Sequence, residues 1–156
     1  MRIAASVLVL LASTSTVAAP DRPWSAERVI FSAEAASKKW VRYRNSTTFW
    51  TPSLADALAL EKGLPDYLRR HLSRDDRLAS SKKEPLWDRA RTYKRQYVGV
   101  RLKDRRIVYA NFLCAAFGSD WRTERVDVAD GGDCYFQVEY DIDKASFANL
   151  MVNGEA

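Results

Sequence analysis

Histidine occurs once in these 156 residues and cysteine twice, and no apolar run is long enough to cross a bilayer. Each scarcity excludes something. With His71 as the sole imidazole and no Cys-x-x-Cys pair, the chain lacks the ligand set of a structural zinc site. Nothing around His71 suggests the nucleophile elbow of a serine or cysteine enzyme, and a lysine base is conceivable but no motif locates one. His71 falls near the end of a basic helical stretch, where it reads as a surface or partly packed residue. No nucleotide-binding loop is present, and the calcium-loop spacing fails after Asp141 and Asp143, because Ala145 stands where a third oxygen ligand belongs. No metal and no cofactor is therefore expected.

What is present begins with an export signal. Arg2 supplies the charged start, Ile3 to Leu11 an apolar run about half of what a membrane span requires, and Val17-Ala18-Ala19 the small residues that signal peptidase accepts. Cleavage near Ala19 is expected, leaving a periplasmic or extracellular protein that does not span the membrane. The 137 residues from Pro20 to Ala156 suit one globular domain, 20–156, with one core. An apolar fraction of 47% is too high for a disordered tail and the runs too interrupted for a membrane protein. Cys114 and Cys134 both lie in the exported part, where disulfides persist, and a bond between them is expected.

Charge is unevenly spread. Residues 20–106 carry 21 Lys and Arg against 11 Asp and Glu, a net +10, whereas residues 107–156 carry 3 against 9, a net −6. The densest block, 69–106, holds 14 cations against 5 acids and includes Trp87, Tyr93 and Tyr97. Cations with interleaved aromatics suit nucleic acid in a cytosolic protein. Export points instead to an anionic envelope polymer, an acidic protein partner or simply a solvated face, and no nucleic acid is expected.

Periodicity sets the fold class. Ala26–Lys39 fits a short helix, and Trp40–Arg44 alternates like an edge strand. Asn45-Ser46-Thr47 fits a turn, and it also matches the N-glycosylation acceptor pattern. Thr51-Pro52 looks like a helix entry, with Thr51 as the cap. Apolar residues from Leu54 to Leu72 then recur at spacings of three and four. Gly63-Leu64-Pro65 predicts a kink or two separate helices. Residues 87–93 fit a short helical turn.

From Gln96 the period changes to two. Gln96–Leu102 and Ile107–Cys114 read as a hairpin about a Lys103–Arg106 turn, Arg125–Val128 as a short strand, and Asp130-Gly131-Gly132-Asp133 as a tight turn. Cys134–Tyr140 and Phe147–Val152 complete the pattern. The expected fold is α+β, with one main N-terminal helix, residues 52–72, packed on a three- to four-stranded antiparallel meander held by one disulfide.

Register follows if the two cysteines face each other on neighbouring antiparallel strands. Paired positions then sum to 248, so Phe112 meets Phe136, Ala110 meets Val138 and Val108 meets Tyr140. The opposite face pairs Leu113 with Tyr135, Asn111 with Gln137 and Tyr109 with Glu139. Tyr97, Tyr109, Asn111, Tyr135, Gln137 and Glu139 are thus the candidate binding residues, because tyrosine and amide side chains serve recognition surfaces. The competing expectation is that an N-terminal arm, with Trp40, Tyr43 and Trp50, covers that face.

A helix followed by an antiparallel meander resembles the cystatin-like architecture, and Gln96-Tyr97-Val98 resembles the opening of its Q-x-V-x-G inhibitory loop. Val100 stands where that motif has glycine and Gly99 comes one place early, so protease inhibition is not implied. The helix-plus-hairpin order and the Asp141–Lys144 turn before a final strand resemble small periplasmic PepSY-type domains. Tyr109-Ala110-Asn111-Phe112, Asp130-Gly131-Gly132-Asp133-Cys134 and Val152-Asn153-Gly154-Glu155-Ala156 resemble small exported bacterial proteins of unassigned function, a likeness that implies no activity.

Two functions are compatible with these features. The first is a non-enzymatic exported binding protein, an inhibitor included, for a protein or envelope polymer. The second is a small glycan hydrolase of the cell envelope using Glu139 and a turn aspartate, which requires two converging carboxylates.

Overall fold

A computed structural model describes residues 23–40, 48–74, 84–116 and 120–154. The export signal, the Val41–Arg44 part of the expected arm, the Asn45-Ser46-Thr47 tripeptide and the Ser80–Lys83 stretch lie outside these residues. The element order is β1 (Arg28–Ile30), α1 (Ala33–Lys39), β2 (Phe49–Trp50), α2 (Leu54–Leu72), α3 (Leu86–Arg89), a 3₁₀ turn (Ala90–Thr92), β3 (Lys94–Leu102), β4 (Arg105–Leu113), a second 3₁₀ turn (Gly132–Cys134), β5 (Tyr135–Asp141) and β6 (Ser146–Val152). The chain is α+β with one disulfide, Cys114–Cys134.

The sheet is larger than a four-stranded meander. Strands β3 to β6 form the antiparallel meander, but β1 adds to the β3 edge in parallel and β2 pairs with β3 beside it, giving six strands in a mixed sheet. Both additional strands are too short for a period to register in the sequence. The segment 125–128, expected as a strand, is an extended connection instead.

Between β4 and β5 the observed partners are Val108 with Tyr140, Ala110 with Val138, Phe112 with Phe136, Tyr109 with Glu139, Asn111 with Gln137 and Leu113 with Tyr135. Phe112 and Phe136 stack nearly parallel, with ring centroids 4.4 Å apart. The β3–β4 hairpin turns more tightly than expected, on Lys103 and Asp104 alone, with Lys103 in the left-handed region. This pairs Tyr97 with Ala110 and so sends Tyr97 to the face opposite Tyr109.

Helix α2 is continuous through Gly63 and Pro65. Its entry is a capping box: the Asp56 backbone N–H donates to Ser53 Oγ at 3.2 Å while the Ser53 N–H donates to Asp56 Oδ2 at 2.8 Å. Thr51 caps elsewhere, its hydroxyl accepting from the Ala33 N–H at the start of α1. The α2 stripe of Ala57, Leu60, Leu64 and Leu68 buries against Tyr97, Val108, Ala110, Phe112, Phe136 and Val138, which form the inner sheet face. Tyr67 stacks on Phe147 of β6, and a Cβ at Gly63 would come within 3.0 Å of that ring.

The opposite face is covered too. Helix α1, with Phe31, Ala36 and Trp40, packs on Val98 and Val100, and Trp40 meets Tyr109 edge-on at 5.4 Å. Trp121, Val126 and Val128 of the β4–β5 connection pack on Leu113 and Tyr135. The two covers touch where Lys39 bonds the Thr123 carbonyl and pairs with Glu124, the latter at 2.5 Å. Apolar side chains on both sides of β3 reflect a strand that is buried on both faces. At Gly99 the chain has no room for a side chain, since a Cβ there would lie 2.3 Å from the Trp50 carbonyl oxygen.

Candidate functional site

Of the six residues expected to form a recognition surface, the fold brings five to one face: Tyr109, Asn111, Tyr135, Gln137 and Glu139. Tyr97 is a correction. It lies beneath α2, fully buried, and its hydroxyl donates to Glu61 Oε1 at 2.9 Å. Val98 and Val100, which alternate with Tyr97 along β3, face the other core, the one under α1. The arm expected over the outer face does contribute Trp40, whereas Trp50 packs with the α2 cluster.

On the outer face the amide side chains form a row across four strands and bind the chain's own 120–130 connection. Gln96 Nε2 donates to the Trp121 and Glu124 carbonyls at 2.7 and 2.6 Å, and Gln96 Oε1 accepts from Asn111 Nδ2 at 3.0 Å and from the Val126 N–H at 3.1 Å. Asn111 Nδ2 also donates to the Val126 carbonyl at 2.8 Å. Gln137 Nε2 bridges Asn111 Oδ1 and Asn153 Oδ1, and Asn153 Nδ2 donates to the Val128 and Asp130 carbonyls. Residues 125–128 belong to no strand, so these amides stand in for the ladder that would satisfy their backbone. The disulfide joins the two ends of this connection. Asn111 and Tyr135 are buried under it, while Tyr109 and Gln137 keep partial exposure.

A second polar cluster lies on the inner face. Glu61 is 2% exposed and accepts from Arg28 Nε at 3.0 Å, Arg28 Nη2 at 3.1 Å and the Tyr97 hydroxyl. Arg95, wholly buried, places Nε 3.0 Å from Glu61 Oε1. Its Nη1 donates to the Tyr93 carbonyl at 2.8 Å and to Ser25 Oγ at 3.2 Å, and its Nη2 bonds the Ser25 carbonyl. Burial, then the adjacent Glu61 charge, pushes the Tyr97 phenol well above its ordinary value. Sequence reasoning had no signal for this cluster beyond an isolated acid at position 61 of an apolar stripe.

The carboxylates considered for hydrolysis are engaged otherwise. Glu139 is buried and its Oε2 accepts from Asn149 Nδ2 at 2.8 Å. Burial pushes the Asp141 carboxyl up, but its bond from Arg105 Nε at 2.7 Å and the Lys144 and Asp143 backbone N–H groups outweigh this and hold it below the usual range. Asp143 is lowered by its bonds from Arg106. Asp133 pairs with Arg89 at 2.5 Å. Each of these turn aspartates is thus tied to an arginine.

The described residues of the basic block divide among three places. Arg69 and Arg70 lie at the α2 end, Arg89 to Arg95 about the start of β3, and Arg101 to Arg106 about its far end, roughly 30 Å away for a nine-residue strand. Among the described residues, Lys39–Glu124, Arg89–Asp133, Arg105–Asp141 and Arg106–Asp143 set a cation of the basic half against an acid of the acidic half, and Arg122–Glu27 joins the halves in the opposite sense. Part of the charge split is therefore paired internally. Among the described residues no three His, Cys, Asp or Glu side chains converge as a metal site. His71 Nδ1 donates to the Tyr67 carbonyl at 2.9 Å and its ring packs on Tyr67.

Among the described residues the exposed large apolar side chains are Leu54, Leu58 and Met151, at 52%, 45% and 58%. Leu54 and Leu58 stand one turn apart on α2, on the side away from Gly63 and Tyr67. The nearby Arg106 guanidinium lies over the Trp50 ring and feels the Asp56 charge. No helix among the described residues is long and apolar enough to cross a membrane. No family model, no curated protein and no solved structure matches this chain.

Proposed function

We propose that the mature chain is an exported, non-enzymatic binding protein that meets a protein partner on the α2 surface around Leu54 and Leu58. The observation that carries this reading is the exposure of two leucines on one turn of a helix whose other side is fully packed. Neighbouring exposed apolar side chains favour a partner that removes them from water, at about 25 cal/mol per Å². Export accords with the signal-like first nineteen residues, with cleavage near Ala19, and with the disulfide, which persists outside the cytosol. The amide and tyrosine face is less available for a partner, because the 120–130 connection and α1 already occupy most of it. The geometry gives least support to carboxylate-based glycan hydrolysis, since Glu139 is buried and bonded to Asn149, and Asp133, Asp141 and Asp143 are engaged by Arg89, Arg105 and Arg106.

The test is affinity capture from envelope extract with two baits, the mature chain and its Leu54→Glu/Leu58→Glu variant, at low and high salt. The reading predicts a partner retained at high salt by the first bait and lost by the second. Identical partner sets on both baits would refute it, and glycan cleavage by the purified chain would favour the hydrolase instead.

A further inference from the structure

Strand β6 closes the meander, and no described strand lies beyond it. From Ser146 to Asn153 it carries no charged residue, which is unusual for an edge, where charges normally discourage pairing with another chain. Its pairing with β5 is interrupted. Phe136 and Gln137 meet Val152 and Met151, while Glu139, Tyr140 and Asp141 meet Ala148, Phe147 and Ser146, so Asn149 and Leu150 together oppose Val138. Asn149 adopts the left-handed conformation, as the first residue of a bulge often does.

The bulge decides which kind of strand could add to this edge. Backbone groups alternate in direction along a strand. The Asn153 N–H donates to the Tyr135 carbonyl, so Asn153 and Met151 face β5, and the N–H and C=O of Val152 point away from the sheet. On β5 the residues that face β6 are Tyr135, Gln137, Glu139 and Asp141, which makes Ala148 and Ser146 face inward and Phe147 outward. The outward residues Phe147 and Val152 are thus five apart, where an unbulged strand offers them at even intervals. A regular strand can match one of them and not both.

A second copy of β6 matches both. We infer that this chain forms a two-fold dimer by antiparallel pairing of β6 with β6 of a second copy, Phe147 of each exchanging backbone hydrogen bonds with Val152 of the other. The two-fold axis passes between Asn149 and Leu150, and the two bulges oppose each other. Met151, 58% exposed in one copy, comes beside Ala148 of the other. The pairing leaves the Leu54 and Leu58 surface of α2 free.

Sedimentation equilibrium of the oxidised mature chain from micromolar to millimolar concentration tests this. The expected result is a mass rising from one chain to two. Val152→Pro removes the outward N–H and should hold the mass at one chain with an unchanged circular dichroism spectrum. Met151→Glu, at an exposed position that does not affect folding, should weaken dimerisation by about tenfold or more, because a carboxylate must then be desolvated; this variant decides if Val152→Pro fails to fold. A one-chain mass throughout, as expected if the edge instead takes an extended segment of another protein, would overturn the inference. So would a dimer that Met151→Glu leaves unchanged.

Discussion

Asn111 Nδ2 donates to Gln96 Oε1 at 3.0 Å across β3 and β4, and both side chains turn their remaining bonds to the backbone of residues 121–126. Two amides that look like a recognition surface thus recognise a segment of their own chain. Gln96→Leu leaves the Trp121 and Glu124 carbonyls and the Val126 N–H without this partner. A buried polar group left unsatisfied costs about 1–3 kcal/mol, so urea denaturation should show the variant less stable by about 3 kcal/mol, with the α2 side of the core intact.

Removing Glu61 should be harsher than removing either partner hydroxyl or amide. Arg95 would keep its charge in the interior without the carboxylate 3.0 Å from its Nε. Breaking a buried pair in this way costs about 3–5 kcal/mol. Glu61→Leu is expected to lose this much in urea denaturation, and the double variant Glu61→Leu/Arg95→Met to recover a substantial part. Tyr97→Phe, which forfeits one hydrogen bond, should lose about 1–2 kcal/mol.

Much of this arrangement was legible in the sequence, and what was not has physical causes. The apolar alternation of Val108 to Phe112 against Phe136 to Tyr140 allowed several even shifts, and taking the two cysteines as facing each other selected the β4–β5 register that is observed. The same logic misassigned Tyr97, because it presumes one buried face, and β3 is buried on both. The α2 stripe was visible, but not its continuity: Gly63 and Pro65 are tolerated inside the helix, where tertiary packing on Phe147 outweighs local propensity. Strands β1 and β2, of three and two residues, carry no period at all. The basic block left a solvated face and an anion surface both open, because sequence separation hides the pairing of Arg105 and Arg106 with Asp141 and Asp143 across neighbouring strands.

The disulfide should contribute about 3 kcal/mol by restricting the unfolded chain, given a sequence separation of 20. Cys114→Ala/Cys134→Ala is expected to unfold at correspondingly lower urea. Intact mass of the native protein after alkylation without reduction should show no added label; two added labels would contradict the bond.

Stability should fall at both ends of the pH range, by different groups. Asp141 and Asp143 titrate below the ordinary 3.8 in the folded protein, so their contribution is complete above that value and is lost as the pH falls through it toward their lowered values. Burial raises Tyr93 from 10.0 to about 12 and lifts Tyr97 well above its ordinary value, so their contribution is complete below pH 10.0 and is lost as the pH rises through the raised values. Urea midpoints should form a plateau between these limits. Asp141→Asn should flatten the acid limb and leave the alkaline limb in place.

The most direct measurement is hydrogen exchange at the Val126 amide in the oxidised protein. That N–H lies outside every strand and is held by Gln96 Oε1 at 3.1 Å. If the amide row clasps the 120–130 connection to the outer sheet face, Val126 exchanges with protection comparable to the neighbouring amides of β3 and β4, and Gln96→Leu abolishes that protection. Exchange of Val126 at the rate of an unstructured loop in the unmutated protein would show that the face is open, and that the surface on which a partner is met must be sought there instead.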